Sequence, residues 1–147
     1  GRDKMIELVE DRLDIDTYLE LRQSVQFREL TRDQAKKGLS NSLYTLVAFK
    51  DGKAVGMGRI VGDGAIICYV QDLIIRPEVQ GEGIGGLILE TLKKFVIQEG
   101  YEGTTMMFDL MCAKGREEFY KKHGFIARPT KDLGPGMIQF IQIGEEG

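Results

Sequence analysis

Seven consecutive residues, Gln80, Gly81, Glu82, Gly83, Ile84, Gly85 and Gly86, place four glycines just ahead of a run with helical periodicity. A helix start carries unpaired N–H groups and the positive end of the macrodipole. Glycines there let a phosphate come close to the backbone. The chemistry this implies is anion binding, of a phosphate or pyrophosphate. Gly81, Gly83 and Gly86 also fit the dinucleotide fingerprint G-x-G-x-x-G. Its context is missing, because Arg76–Gln80 separates the glycines from the preceding strand and only one parallel strand pair is expected. A P-loop is excluded, since no Gly-Lys-Ser/Thr follows the glycines.

Two acids stand inside apolar runs, Asp72 and Asp109. A buried carboxylate is costly unless it is paired or poised to take a proton. Each is a candidate general base or amine anchor, and equally a strand acid bonded to a neighbouring basic residue. Glu29 reads as a solvated acid. His123 reads as a helix-end surface residue, where a cation suits the dipole.

The elements that must position these groups follow from periodicity and punctuation. Met5–Glu10 predicts a strand. Asp16 or Thr17 caps a helix reaching Val25, and Thr31 with Gln34 forms a capping box for a second helix ending near Gly38. Leu43–Lys50 and Lys53–Val61 are strands joined by Asp51-Gly52, which favours a type I′ hairpin. Gly62-Asp63-Gly64 turns the chain into Ala65–Ile75, rich in Ile, Val and Tyr as a central strand should be. Apolar spacing then changes to 3.6 from Gly83 to Gln98, with Gly100 as the stop. Thr104–Ala113 predicts the strand that completes a right-handed βαβ unit. A helix over Gly115–Lys122 ends at Gly124, and Phe125–Arg128 and Met137–Ile143 predict short strands around the turn-rich Lys131–Gly136. The expected fold is α/β, a mixed sheet of six to seven strands. An antiparallel meander precedes one parallel pair, helices cover both faces, and a single domain spans 1–147.

Composition sets outer limits. The chain has 147 residues, 42% hydrophobic and 29% charged, with net charge −3. That balance suits a globular domain and opposes a nucleic-acid partner, which favours a basic surface. The longest apolar run, Ala65–Val70, is too short to span a bilayer. No basic-then-apolar leader opens the chain, so a cytoplasmic location is expected. Cys68 and Cys112 predict buried, reduced thiols, and with the single His123 they do not suffice for a conventional zinc site.

Gln80-x-x-Gly83-x-Gly85 resembles the Arg/Gln-x-x-Gly-x-Gly/Ala motif of the GCN5-related N-acetyltransferases, the GNAT family. Tyr120-Lys121-Lys122-His123-Gly124-Phe125 is similar to that family's Tyr-x-x-x-Gly-Phe ending, and the order of elements matches over nearly the whole chain. The Arg128-Pro129…Gly134-Pro135-Gly136-Met137 segment resembles a subset of small bacterial acetyltransferases. In place of the Asn that the family often carries near its last helix stands Cys112-Ala113-Lys114-Gly115.

The resemblance implies acetyl-CoA as cosubstrate, with its pyrophosphate on the backbone of Gln80–Gly86. It implies a pantetheine arm beside Leu73, Ile74 and Ile75, where the parallel strands splay apart. It also implies an amide near Leu73 polarising the thioester, and Tyr120 protonating the departing thiolate. A phenol near pKa 10 is well matched to that task. Asp72 is taken as the candidate base. The expected reaction is direct attack by a primary amine of a small molecule. Acetylation of a protein lysine or N-terminus, or CoA binding without turnover, are the alternatives. A homodimer is a further expectation from the resemblance.

Overall fold

The computed structural model describes residues 5–144. They fall into two compact units, the first ending at Leu110 and the second starting at Met111.

The first unit runs β1 (Ile6–Glu10), α1 (Ile15–Ser24), α2 (Arg32–Ser40), β2 (Tyr44–Lys50), β3 (Lys53–Gly62), β4 (Ile67–Ile75), α3 (Ile84–Glu99) and β5 (Met107–Leu110). The strands lie in the order β1-β2-β3-β4-β5, antiparallel up to β4 and parallel between β4 and β5. The expected meander followed by one βαβ unit is present. The sheet has five strands among the described residues, where six to seven were expected.

Local chemistry explains the boundaries. α1 is capped by Asp14, whose side chain accepts from the Thr17 N–H at 2.8 Å, rather than by Asp16 or Thr17. α2 has its capping box, with the Gln34 N–H bound to Thr31 Oγ1 and the Thr31 N–H bound to Gln34 Oε1. Asp51 and Gly52 both take positive φ, 54° and 76°, as a type I′ turn requires. The start of β4 is fixed by Asp63, which accepts from the backbone N–H groups of Ala65, Ile66 and Ile67. β5 is shorter than the expected Thr104–Ala113. Thr104 is drawn into a turn, its N–H and hydroxyl both donating to Tyr101 O.

Two cores lie on opposite faces of the sheet. On one face α3 packs Ile84, Ile88 and Leu92 against Leu46, Ile60 and Val70. Gly58 lets α3 sit close, because a Cβ there would come within 2.6 Å of Ile88 Cγ2. On the other face α1 and α2 bring Tyr18, Leu21 and Ala35 against Val47, Met57 and Ile74. Each fully buried Leu or Ile contributes about 1.5–3 kcal/mol.

A bulge in β4 divides that strand functionally. Arg59 pairs with Asp72 and Ile60 with Val70, so Gln71 has no partner on β3. The side-chain alternation therefore slips by one. Cys68 and Val70 face α3 before the bulge, and Leu73 and Ile75 face it afterwards. The slip sends Asp72 to the α1–α2 face.

Among the described residues the second unit contains one helix, α4 (Glu117–Lys122). Phe125–Arg128 and Met137–Ile143 are not strands, contrary to expectation. The latter reads Met-Ile-Gln-Phe-Ile-Gln-Ile, so its glutamines recur every third residue. That puts polar groups on both sides of an extended chain, not the one-sided period of two that a half-buried strand shows. Cys68 is buried as expected, whereas Cys112 is exposed.

Candidate active site

The glycine loop leads into α3 through backbone that only glycine adopts without strain. Gly81 and Gly83 have φ of 87° and 85°, and no atom lies within 4 Å of a Cβ built on either. Their selection is therefore conformational, not steric crowding from within the chain. Gly83 is the N-cap of α3 and supplies no side chain to its amides, and no acid stands in the first turn. The first intrahelical bond ties the Leu87 N–H to Gly83 O at 3.2 Å, so the amides of Ile84, Gly85 and Gly86 precede the helical ladder. This set of donors fits an oxyanion of pyrophosphate type.

The neighbouring side chains are turned away from those amides by bonds of their own. Gln80 donates its side-chain amide to Ile75 O at 3.1 Å, stapling the loop to the end of β4. Glu82 is paired with Lys50 at 2.7 Å, which offsets a negative charge that would otherwise oppose an anion.

Among the described residues, the strand that leads into this loop has one edge unpaired beyond Val70. β5 accompanies β4 only from Ile67 to Val70. Leu73, Ile74 and Ile75 remain paired with Gly58, Met57 and Gly56 of β3. On the β5 side no strand pairs with them among the described residues, which leaves backbone groups for an extended ligand.

The two strand acids differ sharply. Asp72 is 1% exposed and closed on all sides. Its Oδ1 accepts from Arg22 at 3.1 Å, and its Oδ2 accepts from the Tyr18 hydroxyl at 2.7 Å and from Arg59 at 3.3 Å. Burial, reinforced by the negative charge of Asp72, pushes the Tyr18 phenol up to about 12, so it stays a donor. Asp72 thus occupies the paired role and offers no free oxygen. Asp109 lies between Phe108 and Leu110, which pack towards α3, so it faces the opposite side of the sheet. Its Oδ1 is buried without a partner, and burial raises its pKa.

Tyr120 belongs to the second unit, half-buried near the end of α4. The Phe125 N–H bonds to Tyr120 O, and the Gly124 N–H bonds to Lys121 O, with Gly124 at φ 92°. That pair of bonds is a Schellman motif, and the Tyr120 and Phe125 rings supply its apolar contact, edge-on at 5.7 Å. The Tyr-x-x-x-Gly-Phe spacing is accounted for by this helix ending. Burial raises the Tyr120 phenol, which keeps its proton in place at neutral pH.

A cleft of about 230 Å³ opens on the α1–α2 face, lined by Tyr18, Leu30, Gln34, Gly38, Arg59 and Gln71 among others. Of these, Tyr18, Arg59 and Gln71 were not expected from the sequence. Arg59 carried the one usable signal, since it interrupts an apolar strand just as Asp72 does. Glu29 is exposed, as expected.

Comparison with known proteins adds the family context. The model of the acetyltransferase (GNAT) domain matches residues 41–127. A Staphylococcus aureus structure, described as a probable acetyltransferase, is 28% identical with a TM-score of 0.81. The match covers 93% of this chain and 100% of that one. A GNAT-family acetyltransferase of Streptococcus pneumoniae is 29% identical with a TM-score of 0.76, covering 94% and 99%. Among curated relatives, an uncharacterized N-acetyltransferase of Pyropia yezoensis is 31% identical over 100 residues, which is 65% of this chain and 55% of that protein. A chloroplastic N-acetyltransferase of Arabidopsis thaliana is 29% identical over 80 residues, which is 54% of this chain and 30% of that protein. The chain therefore spans between about a third and just over half of these curated relatives.

Proposed function

The chain belongs to the GNAT acetyltransferase family, and from that premise we propose that it moves an acetyl group from acetyl-CoA to a primary amine of a small molecule by direct attack. The observation that carries this reading is the open start of α3. Its amides stand at the glycine loop beside the unpaired edge of β4.

In this reading the amides of Gly81 to Gly86 hold the CoA pyrophosphate, and the pantetheine arm lies along Leu73–Ile75. The Leu73 amide polarises the thioester carbonyl, where negative charge builds up as the amine attacks. Asp109 takes the amine's proton in place of Asp72, because its buried Oδ1 has no partner whereas Asp72 is held by two guanidiniums and a phenol. Tyr120 returns a proton to the departing thiolate, for which its raised pKa keeps it in the acid form. In this reading the cleft of about 230 Å³ on the α1–α2 face is the space for a small acceptor.

The test has two arms. Calorimetry should detect acetyl-CoA binding, and free thiol should appear when acetyl-CoA is mixed with a panel of amines. Absence of binding would sink the reading. Binding with no turnover on any amine would favour a CoA-binding module instead.

A further inference from the structure

The cleft on the α1–α2 face has an unbalanced electrostatic floor. Of its described lining residues, Arg59 is the one that carries a formal charge at neutral pH, since Tyr18 keeps its proton. Directly behind it lie Arg22 and Asp72, both at least nine-tenths buried. Two guanidiniums therefore share one carboxylate, which leaves one positive charge in surplus in a region poorly reached by solvent.

The donors are in surplus as well. A guanidinium has five N–H groups. Those of Arg59 reach Ser42 Oγ at 2.8 Å, Gly38 O at 2.9 Å and Asp72 at 3.3 Å, which leaves two. Arg22 does not line the cleft, but behind it its Nε is buried with no partner. Neutral donors complete the lining. The Oε1 of Gln34 is taken by the Thr31 N–H, so its amide nitrogen is the end left for a ligand. Gln71 stands exposed at the bulge, on the cleft. Leu30, Ala35 and Val61 make the rest of the wall apolar. An excess of cationic and neutral donors over an apolar wall suits a small planar anion and opposes a second cation.

We propose that this cleft binds a carboxylate group carried by the amine acceptor, so that the acceptor class is small amino acids and related amino-carboxylates. The inference rests on the acetyl-transfer reading for its source of the carboxylate, and on the cleft alone for the anion site. A volume of about 230 Å³ admits a compact acid.

Two arms separate these parts. In the first, N-acetyl-β-alanine and its neutral carboxamide are titrated into the protein, and the side-chain NH₂ signals of Gln34 and Gln71 are followed by ¹⁵N–¹H NMR. Shifts with the acid and not with the carboxamide are expected; equal shifts, or none, overturn the anion site. In the second, acetyl transfer to β-alanine and 4-aminobutanoate is compared with transfer to their carboxamides at equal free-amine concentration. The acids should be preferred in kcat/KM by about tenfold or more, as a charge-assisted hydrogen bond implies. Gln71→Glu, which changes an exposed side chain, should lower that ratio by about tenfold. No preference despite selective binding in the first arm overturns the acceptor as the source of the carboxylate. No turnover of any amine sinks the acetyl-transfer reading, and the first arm alone then decides the carboxylate site.

Discussion

Two glycine-marked helix ends in this chain look alike in sequence and differ in structure. At the start of α3, Gly81 and Gly83 adopt left-handed backbone and the amides of the first turn are left without a cap. At the end of α4, Gly124 is also left-handed, but it closes the helix on itself through the Schellman bonds and the Tyr120–Phe125 contact. The first end leaves its amides open, as the proposed ligand site requires. The second is complete without a ligand, so glycine spacing there reports a helix cap before it reports a function. The strand acids repeat the contrast, Asp72 being closed and Asp109 open.

The largest expected effect lies on the closed side of that contrast. Asp72→Ala strands two buried guanidiniums and should cost about 3–5 kcal/mol in urea unfolding, since removing one partner of a buried pair leaves uncompensated charge. A loss under about 1 kcal/mol would show that Asp72 is not the centre of the network.

On the open side, Gly83→Val forces a β-branched residue into left-handed backbone at the first turn of α3. Acetyl-CoA affinity should fall about a hundredfold by calorimetry, with a stability loss of only about 1–2 kcal/mol. Unchanged affinity would mean that the loop is merely a turn.

Asp109→Asn should slow acetyl transfer about a hundredfold, as loss of a general base does. Its effect on stability has the opposite sign to that of Asp72. Burial raises the Asp109 pKa, so its stabilising contribution is full below the unfolded value and is lost as pH rises through the folded one. At pH 7 the Asn variant should therefore melt at or above the parent temperature.

The helix cap separates two roles for one tyrosine. Tyr120→Phe keeps the ring contact and should leave stability within about 0.5 kcal/mol, while slowing turnover at least tenfold if the hydroxyl donates a proton. The smallest effect is expected from Gly124→Ala, about 1 kcal/mol of stability from the left-handed closing residue, with acetyl-CoA affinity unchanged.

Much of this was legible in the residues because it is local. The Thr31–Gln34 capping box, the Asp51-Gly52 hairpin and the glycines ahead of α3 each depend on neighbours within a few positions. What was not legible depends on distance or on a one-residue slip. Asp72 meets Arg22 and Tyr18 across 50 and 54 positions, so its partners leave no trace in spacing. The bulge at Gln71 decides which face Asp72 occupies, yet Gln71 carries no turn residue to announce it. The last seven apolar-rich residues, Met137–Ile143, have strand-like composition but a period of three. Composition alone therefore suggested a strand that the structure does not form.

The central claim is that the open start of α3 receives the pyrophosphate of acetyl-CoA. Titrating CoA into ¹⁵N-labelled protein and following backbone amides tests it most directly. The account predicts the largest shifts at Gly81, Gly83, Ile84, Gly85 and Gly86, where hydrogen bonds to phosphate would form. Saturable CoA binding that leaves those five amides unmoved would contradict it.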